Sequence, residues 1–135
     1  MADPLSDVMG AVVARLDANA TLVSLGVNGW WDTFAPANTD APFGLIRFLS
    51  GGDQNTSPKR DVRLRVLIIG VGATPAQARA ICSAVDAELH GTELIISGWS
   101  NYRCMADDEY TMVDQFEGKQ VYQRGKVFGI WLDKN

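Results

Sequence analysis

The chain has 135 residues, a net charge of −4 and a pI near 4.8; 47% of its residues are hydrophobic and 21% charged. That is one domain's worth of chain, apolar enough to build a core without disulfide or metal staples and too balanced for a disordered protein. An acidic chain lacks the cationic footprint of ordinary DNA or RNA recognition, and no apolar run reaches the ~18 residues of a membrane helix.

Two cysteines, Cys82 and Cys104, and a single histidine, His90, are too few for a zinc site of the usual Cys/His kind. No cofactor is expected. The cysteines fit a reducing compartment better than a disulfide framework. The start, Met-Ala-Asp-Pro, has no basic segment followed by an apolar one, so no signal peptide is expected.

In chain order, residues 3–18 read as a helix. Leu5, Val8, Met9, Val12 and Leu16 form one apolar stripe, with Asp3 as N-cap and Pro4 at the first position. Asp7, Arg15 and Asp17 belong to its solvated face. Gly26 and Asn28-Gly29 mark turns. Trp30 to Phe34 is a short strand, and Ala35 to Pro42 a loop. Phe43 to Leu49 is a second strand. Ser50 to Pro58 contains no hydrophobic residue and reads as an exposed loop that orders on assembly.

Asp61 to Val71 is the clearest strand. Val62, Leu64, Val66 and Ile68 share one face; Asp61, Arg63, Arg65, Leu67 and Ile69 share the other, which begins charged and ends apolar. Thr74-Pro75 opens a second helix, whose stripe is Ala78, Ile81, Cys82, Val85 and Leu89, and Gly91 closes it. Glu93–Trp99, Asn101–Met105, Thr111–Phe116 and Gln120–Leu132 are strands, with a tight turn at Gly118 joining the last two. Helices and strands do not alternate. The expectation is a single α+β domain over residues 1–135, a mainly antiparallel sheet with two helices packed on one face.

Chemistry-bearing motifs are few. Gly70-Val71-Gly72-Ala73-Thr74-Pro75 imitates a dinucleotide fingerprint, but Pro75 stands where that turn needs a third small residue. It reads as a strand–helix turn, with nucleotide binding the lesser alternative. His90 lies at a helix C-terminus, where a cation interacts well with the dipole, and no nucleophile signature accompanies it. Cys82 reads as a core residue, Cys104 as part of a polar strand. No catalytic or metal-binding residue is assigned, and no enzyme activity is expected.

Two charged segments stand out. Asp107, Asp108 and Glu109, with Asp114 and Glu117, form an acidic stretch that reads as a solvated turn or as a surface facing a basic partner. Lys59, Arg60, Arg63 and Arg65 form a basic run. Arg63 and Arg65 share a strand face, which either meets solvent or meets the acidic segment of a neighbouring copy. Unlike patches on one chain suit a head-to-tail ring. Adjacent Trp30 and Trp31 point to opposite faces of their strand, so both faces of the sheet need a cover, one of them a partner subunit or the chain's own loop. The interface candidates are therefore Trp30, Trp31, Asp53, Gln54, Asn55, Lys59, Arg60, Arg63, Arg65, Asp107, Asp108 and Glu109.

The order of elements resembles the tail terminator, or tail completion, proteins of long-tailed bacteriophages. The likeness runs through the helix Leu5–Leu16 with its Asp17-Ala18-Asn19-Ala20-Thr21-Leu22 end, the Trp30-Trp31-Asp32 strand and the Pro-Ala-Asn loop. It continues through Asp40-Ala41-Pro42-Phe43-Gly44-Leu45-Ile46, where the family has an Ala-Pro-Phe-Pro-like lead into a strand and Gly44 replaces the second proline. Val62-Arg63-Leu64-Arg65-Val66, the Ala-rich helix from Pro75 to Gly91 and a last strand Val127–Leu132 complete it. Arg103 takes the place of an arginine that the family carries before its final strand. The resemblance implies a structural virion protein of the tail and neck, assembled in the bacterial cytoplasm. It implies a hexameric ring that caps the head-proximal end of the tail tube and stops its polymerisation. The implied partners are further copies of the chain, through sheet pairing and loops, the tail tube protein and a head-closure or connector protein. DNA would pass through the lumen unread, with no membrane involved. A head–tail adaptor and a tube subunit share this design and remain alternatives.

Overall fold

The computed structural model describes residues 4–32, 40–53, 61–96, 99–116 and 119–134, and side-chain surroundings for 7–32, 40–49, 63–96, 104–106 and 121–132. Three helices and six strands follow one another as α1 (Pro4–Asp17), α2 (Ala20–Ser24), β1 (Trp30–Asp32), β2 (Phe43–Asp53), β3 (Asp61–Gly72), α3 (Pro75–Leu89), β4 (Ile95–Ile96), β5 (Trp99–Phe116) and β6 (Lys119–Lys134). The strands form one sheet in the order β1-β2-β3-β6-β5-β4. β1 runs parallel to β2; the other pairings are antiparallel. This is the expected α+β class with a mainly antiparallel sheet.

The helices cover one face of that sheet. In α1, Val8, Val12 and Leu16 are fully buried, one apolar residue per turn. They meet Leu64, Val66 and Ile68 of β3, Phe128, Ile130 and Leu132 of β6, and the stripe of α3 in one core. Each such side chain contributes about 1.5–3 kcal/mol by leaving water. Every residue of the expected α3 stripe is buried, together with Ala84. Asp17 is exposed as expected, but Arg15 is half-buried and reaches Glu88 of α3 at 3.8 Å. Asp3, the expected N-cap of α1, lies outside the described residues.

The ends of α3 follow its sequence signals. Thr74 Oγ1 accepts the Gln77 N–H at 3.1 Å, and Gln77 Oε1 accepts the Ala73 N–H at 2.8 Å, so the turn satisfies its own donors. At Gly70 an added Cβ would lie 2.5 Å from Ile81 Cγ2, and at Gly72 2.7 Å from the Ala78 N. The two glycines let α3 sit close on β3. The Gly-Val-Gly-Ala-Thr-Pro segment is thus a strand–helix packing turn. At the other end Gly91 takes a φ of 76°.

Four sequence readings change. α2 is a third helix, capped by Asn19 Oδ1, which accepts the Leu22 N–H at 2.9 Å. Five residues are too short for a periodic signal, and its anchor is the burial of Leu22. β2 does not stop at Leu49: Ser50 to Asp53 continue it, paired with Arg65 to Val62 beyond a bulge between Phe48 and Ser50. The expected loop therefore starts no earlier than Gln54, and residues 54–60 lie outside the described ones. Asn101–Met105 and Thr111–Phe116 are parts of one long strand, β5. Its acidic segment is bulged strand and not a turn, because β6 offers a ladder along its whole length. Finally, Glu93–Trp99 shrinks to the two-residue β4, with Ser97 and Gly98 outside the described residues. Phe116 pairs with Lys119, and the expected turn at Gly118 lies outside the described residues.

Candidate subunit interface

β3 builds the far face of the sheet, away from the helices. Its odd-numbered residues run from Arg63 and Arg65 to Leu67, Ile69 and Val71. The register places Leu67 beside Arg47 and Val127, Ile69 beside Leu45 and Gly125, and Val71 beside Phe43 and Gln123. Directly paired residues share a face. The far face is therefore apolar at one end and cationic at the other.

The apolar end is already covered. Phe43, Leu45, Leu67, Ile69, Val71, Val121 and Val127 form a second buried cluster, with Trp31 packed against it. Trp31 meets Phe43 edge to face, with centroids 6.1 Å apart and planes at 77°. Trp30 turns to the other face and packs on the helix-side core. Its indole lies over Gly44, where any Cβ would overlap it. That contact explains why glycine serves at this strand position. The adjacent tryptophans do point to opposite faces, and both pack within the chain.

The cationic end is organised around Trp131. This residue pairs with Arg63, whose Cζ stands 4.7 Å from the ring centroid in a cation–π contact. Two residues along β6, Gly129 gives the indole room, since a Cβ there would lie 2.8 Å from Trp131 Cη2. Gly129 pairs with Arg65, and Arg47 follows one strand outward. Arg47, Arg63 and Arg65 are all half-buried. The Nε atoms of Arg47 and Arg63 are shielded from solvent and have no hydrogen-bond partner among the described residues. Arg47 was not singled out in the sequence. Its place beside the β3 arginines depends on the β2–β3 register, which sequence alternation cannot give. Next to it Phe48 and Leu49 stand exposed at the bulge.

The acidic segment lies at the opposite edge. Asp107 and Asp108 sit in the β5 bulge, between Ala106, paired with Phe128, and Glu109, paired with Lys126. The outer edge of β5 is covered up to that point. Cys104 O accepts the Gly91 N–H at 2.7 Å, and His90 Nδ1 accepts the Ala106 N–H at 2.9 Å. His90 thus turns its imidazole to the β5 backbone. The α3 terminus is capped by the His90 backbone N–H on Asp86 O. Asp53 lies in β2 opposite Val62, and Gln54, Asn55, Lys59 and Arg60 lie outside the described residues.

Little here resembles a reaction centre. Both cysteines are free and buried. Cys104, expected in a polar setting, faces the core at 1% exposure; burial pushes its thiol up to about 11, partly opposed by Arg15. Such a thiol is a poor nucleophile. Among the described residues no group of three His, Cys, Asp or Glu side chains could hold a metal ion, and no helix is long and apolar enough to cross a membrane.

No protein-family model matches the sequence, and no curated protein matches it. A solved structure does share the fold. A chain from the virion of a native gene transfer agent (GTA) particle superposes with a TM-score of 0.77, over 98% of this chain and 99% of that one, at 18% sequence identity.

Proposed function

We infer that this chain is a structural component of a phage-type virion, a tail terminator. Copies of it would form a ring, of six in the related proteins, at the head-proximal end of the tail tube. The ring stops tube polymerisation and offers the surface to which the head joins. Its partners are further copies of the chain, the tube protein and a head-closure or connector protein. Its role is assembly, not catalysis.

The observation that carries this reading is the likeness to a chain of a virion over 98% of this chain and 99% of that one. The order of helices and strands that resembles tail terminators supports the finer assignment. A chain whose acidic balance is repeated around a lumen would not grip DNA passing through it.

Electron microscopy of particles made without the protein tests the assignment. Abnormally long tails that do not join heads are expected. An absence of tubes would instead make the chain a tube subunit, and tails of normal length beside unjoined heads would make it an adaptor.

A further inference from the structure

We propose that the Arg47–Arg63–Arg65 surface of one copy is the docking site for the acidic β5 bulge, Asp107 and Asp108, of the next copy. This rests on the ring reading above and names the contact that builds the ring.

Position within the sheet is the first argument. Arg47 pairs with Leu67, and Leu67 pairs with Val127. Asp107 and Asp108 fall between the partners of Phe128 and Lys126, at the level of Val127. Arg47 and the acidic bulge therefore lie on one row across the sheet, at opposite edges, with Arg65 and Arg63 further along β3. Three strand spacings separate Arg47 from the bulge, about 14 Å. That exceeds the screening length of about 8 Å at physiological salt, so the two patches do not serve each other within one chain.

Both edges also open at that row. β1 covers β2 only from Gly44 to Ile46, and the edge is free of strand partners from Arg47 onward among the described residues. On β5 the His90–Gly91 turn covers the edge as far as Ala106, and the acidic bulge comes next. Each edge strand carries a bulge there, a device that stops indiscriminate strand addition while leaving side chains to decide the partner.

Unmet hydrogen bonding is the second argument. The sheltered Nε atoms of Arg47 and Arg63 lack acceptors among the described residues, and buried donors of this kind are normally satisfied. A carboxylate supplies two acceptor oxygens in the geometry that a guanidinium prefers. Trp131 holds Arg63 from below and restricts it in advance. Exposed Leu49, in the β2 bulge, adds apolar area beside the charges.

The arrangement also selects the symmetry. In a two-fold dimer both edges of one sheet would have to face the same partner. Opposite edges cannot do so, whereas a head-to-tail repeat engages both and closes a ring.

Charge reversal tests this with the intact protein. Variant one carries Arg47→Glu and Arg63→Glu; variant two carries Asp107→Arg and Asp108→Arg. Mass is read by light scattering, and folding by circular dichroism. The wild type should form an oligomer. Each variant alone should fall to the monomer mass of 14.7 kDa. An equimolar mixture should recover the wild-type mass, because alternating copies restore opposite charges at every contact. If the double arginine variant unfolds, Arg47→Glu alone takes its place with the same expected outcome. Variants that keep the wild-type mass, or a mixture that stays monomeric, would overturn the docking site and leave the ring reading standing. A wild type that stays monomeric at every concentration would overturn both. Loss of binding to a short DNA duplex in variant one, with oligomer mass unchanged, would assign the arginines to a polyanion and also overturn the proposal.

Discussion

Single positions in this chain are decided by which neighbour needs the space. Gly44 is a strand residue with a poor strand propensity, and the Trp30 indole accounts for it. Gly44→Ala should destabilise the fold by about 1–3 kcal/mol, as overpacking does, and shift tryptophan fluorescence; chemical denaturation measures both. Gly129 and Trp131 make a similar pair under Arg63. Cys104 supplies a pH test. Its thiol, ordinarily at 9.0, is raised to about 11, so the unfolded chain ionises first as pH rises. Below pH 9.0 the group is protonated in both states and does not change stability with pH; between 9.0 and about 11 stability should decline. Cys104→Ala should flatten that decline, and an unchanged alkaline slope would show that the thiol is not its source. Native protein at pH 8 should resist thiol reagents that label the unfolded chain within the same time.

At the scale of elements, α3 and β3 belong together. Gly72→Ala places a methyl against the Ala78 backbone nitrogen, which cannot move away as a side-chain tip can. It should cost more than Thr74→Ala, which removes the N-cap and about 1 kcal/mol. Thermal melting of the two variants gives the order, and the reverse order would contradict the close α3–β3 packing. Elements with a strong private signal were legible in the sequence. The stripes of α1 and α3, the Thr74-Pro75 start and the alternation in β3 all reappear in the fold. What escaped depends on neighbours. Glycines and serine in β2, and three consecutive acids in β5, look like loop by composition, yet a partner strand extends both elements past them. The short α2 is held by Leu22 and one cap. The site followed the same pattern. Arg63 and Arg65 were visible as a pair on one strand face. Arg47, and the shared row with the acidic bulge, needed the register of four strands.

For the whole molecule, the two ends of the far face differ in kind. One end is closed by the chain's own apolar cluster; the other presents arginines at half burial beside an open edge. Such asymmetry, with acids at the opposite edge, is economical for a repeating unit and has no evident use in an isolated one. An interface built on these charges should weaken with salt, so the fraction of oligomer should fall as sodium chloride rises from 0.05 to 0.5 M, a range that shortens screening severalfold. Sedimentation would follow it; a salt-independent mass would point to apolar contacts in place of the arginines. The central claim, however, is about place in a particle. Cryo-electron microscopy of the intact virion, at a resolution that identifies this fold, tests it most directly. The account predicts a single ring of this chain between the tail tube and the head. Finding it repeated along the tube, or only in the capsid shell, would contradict it.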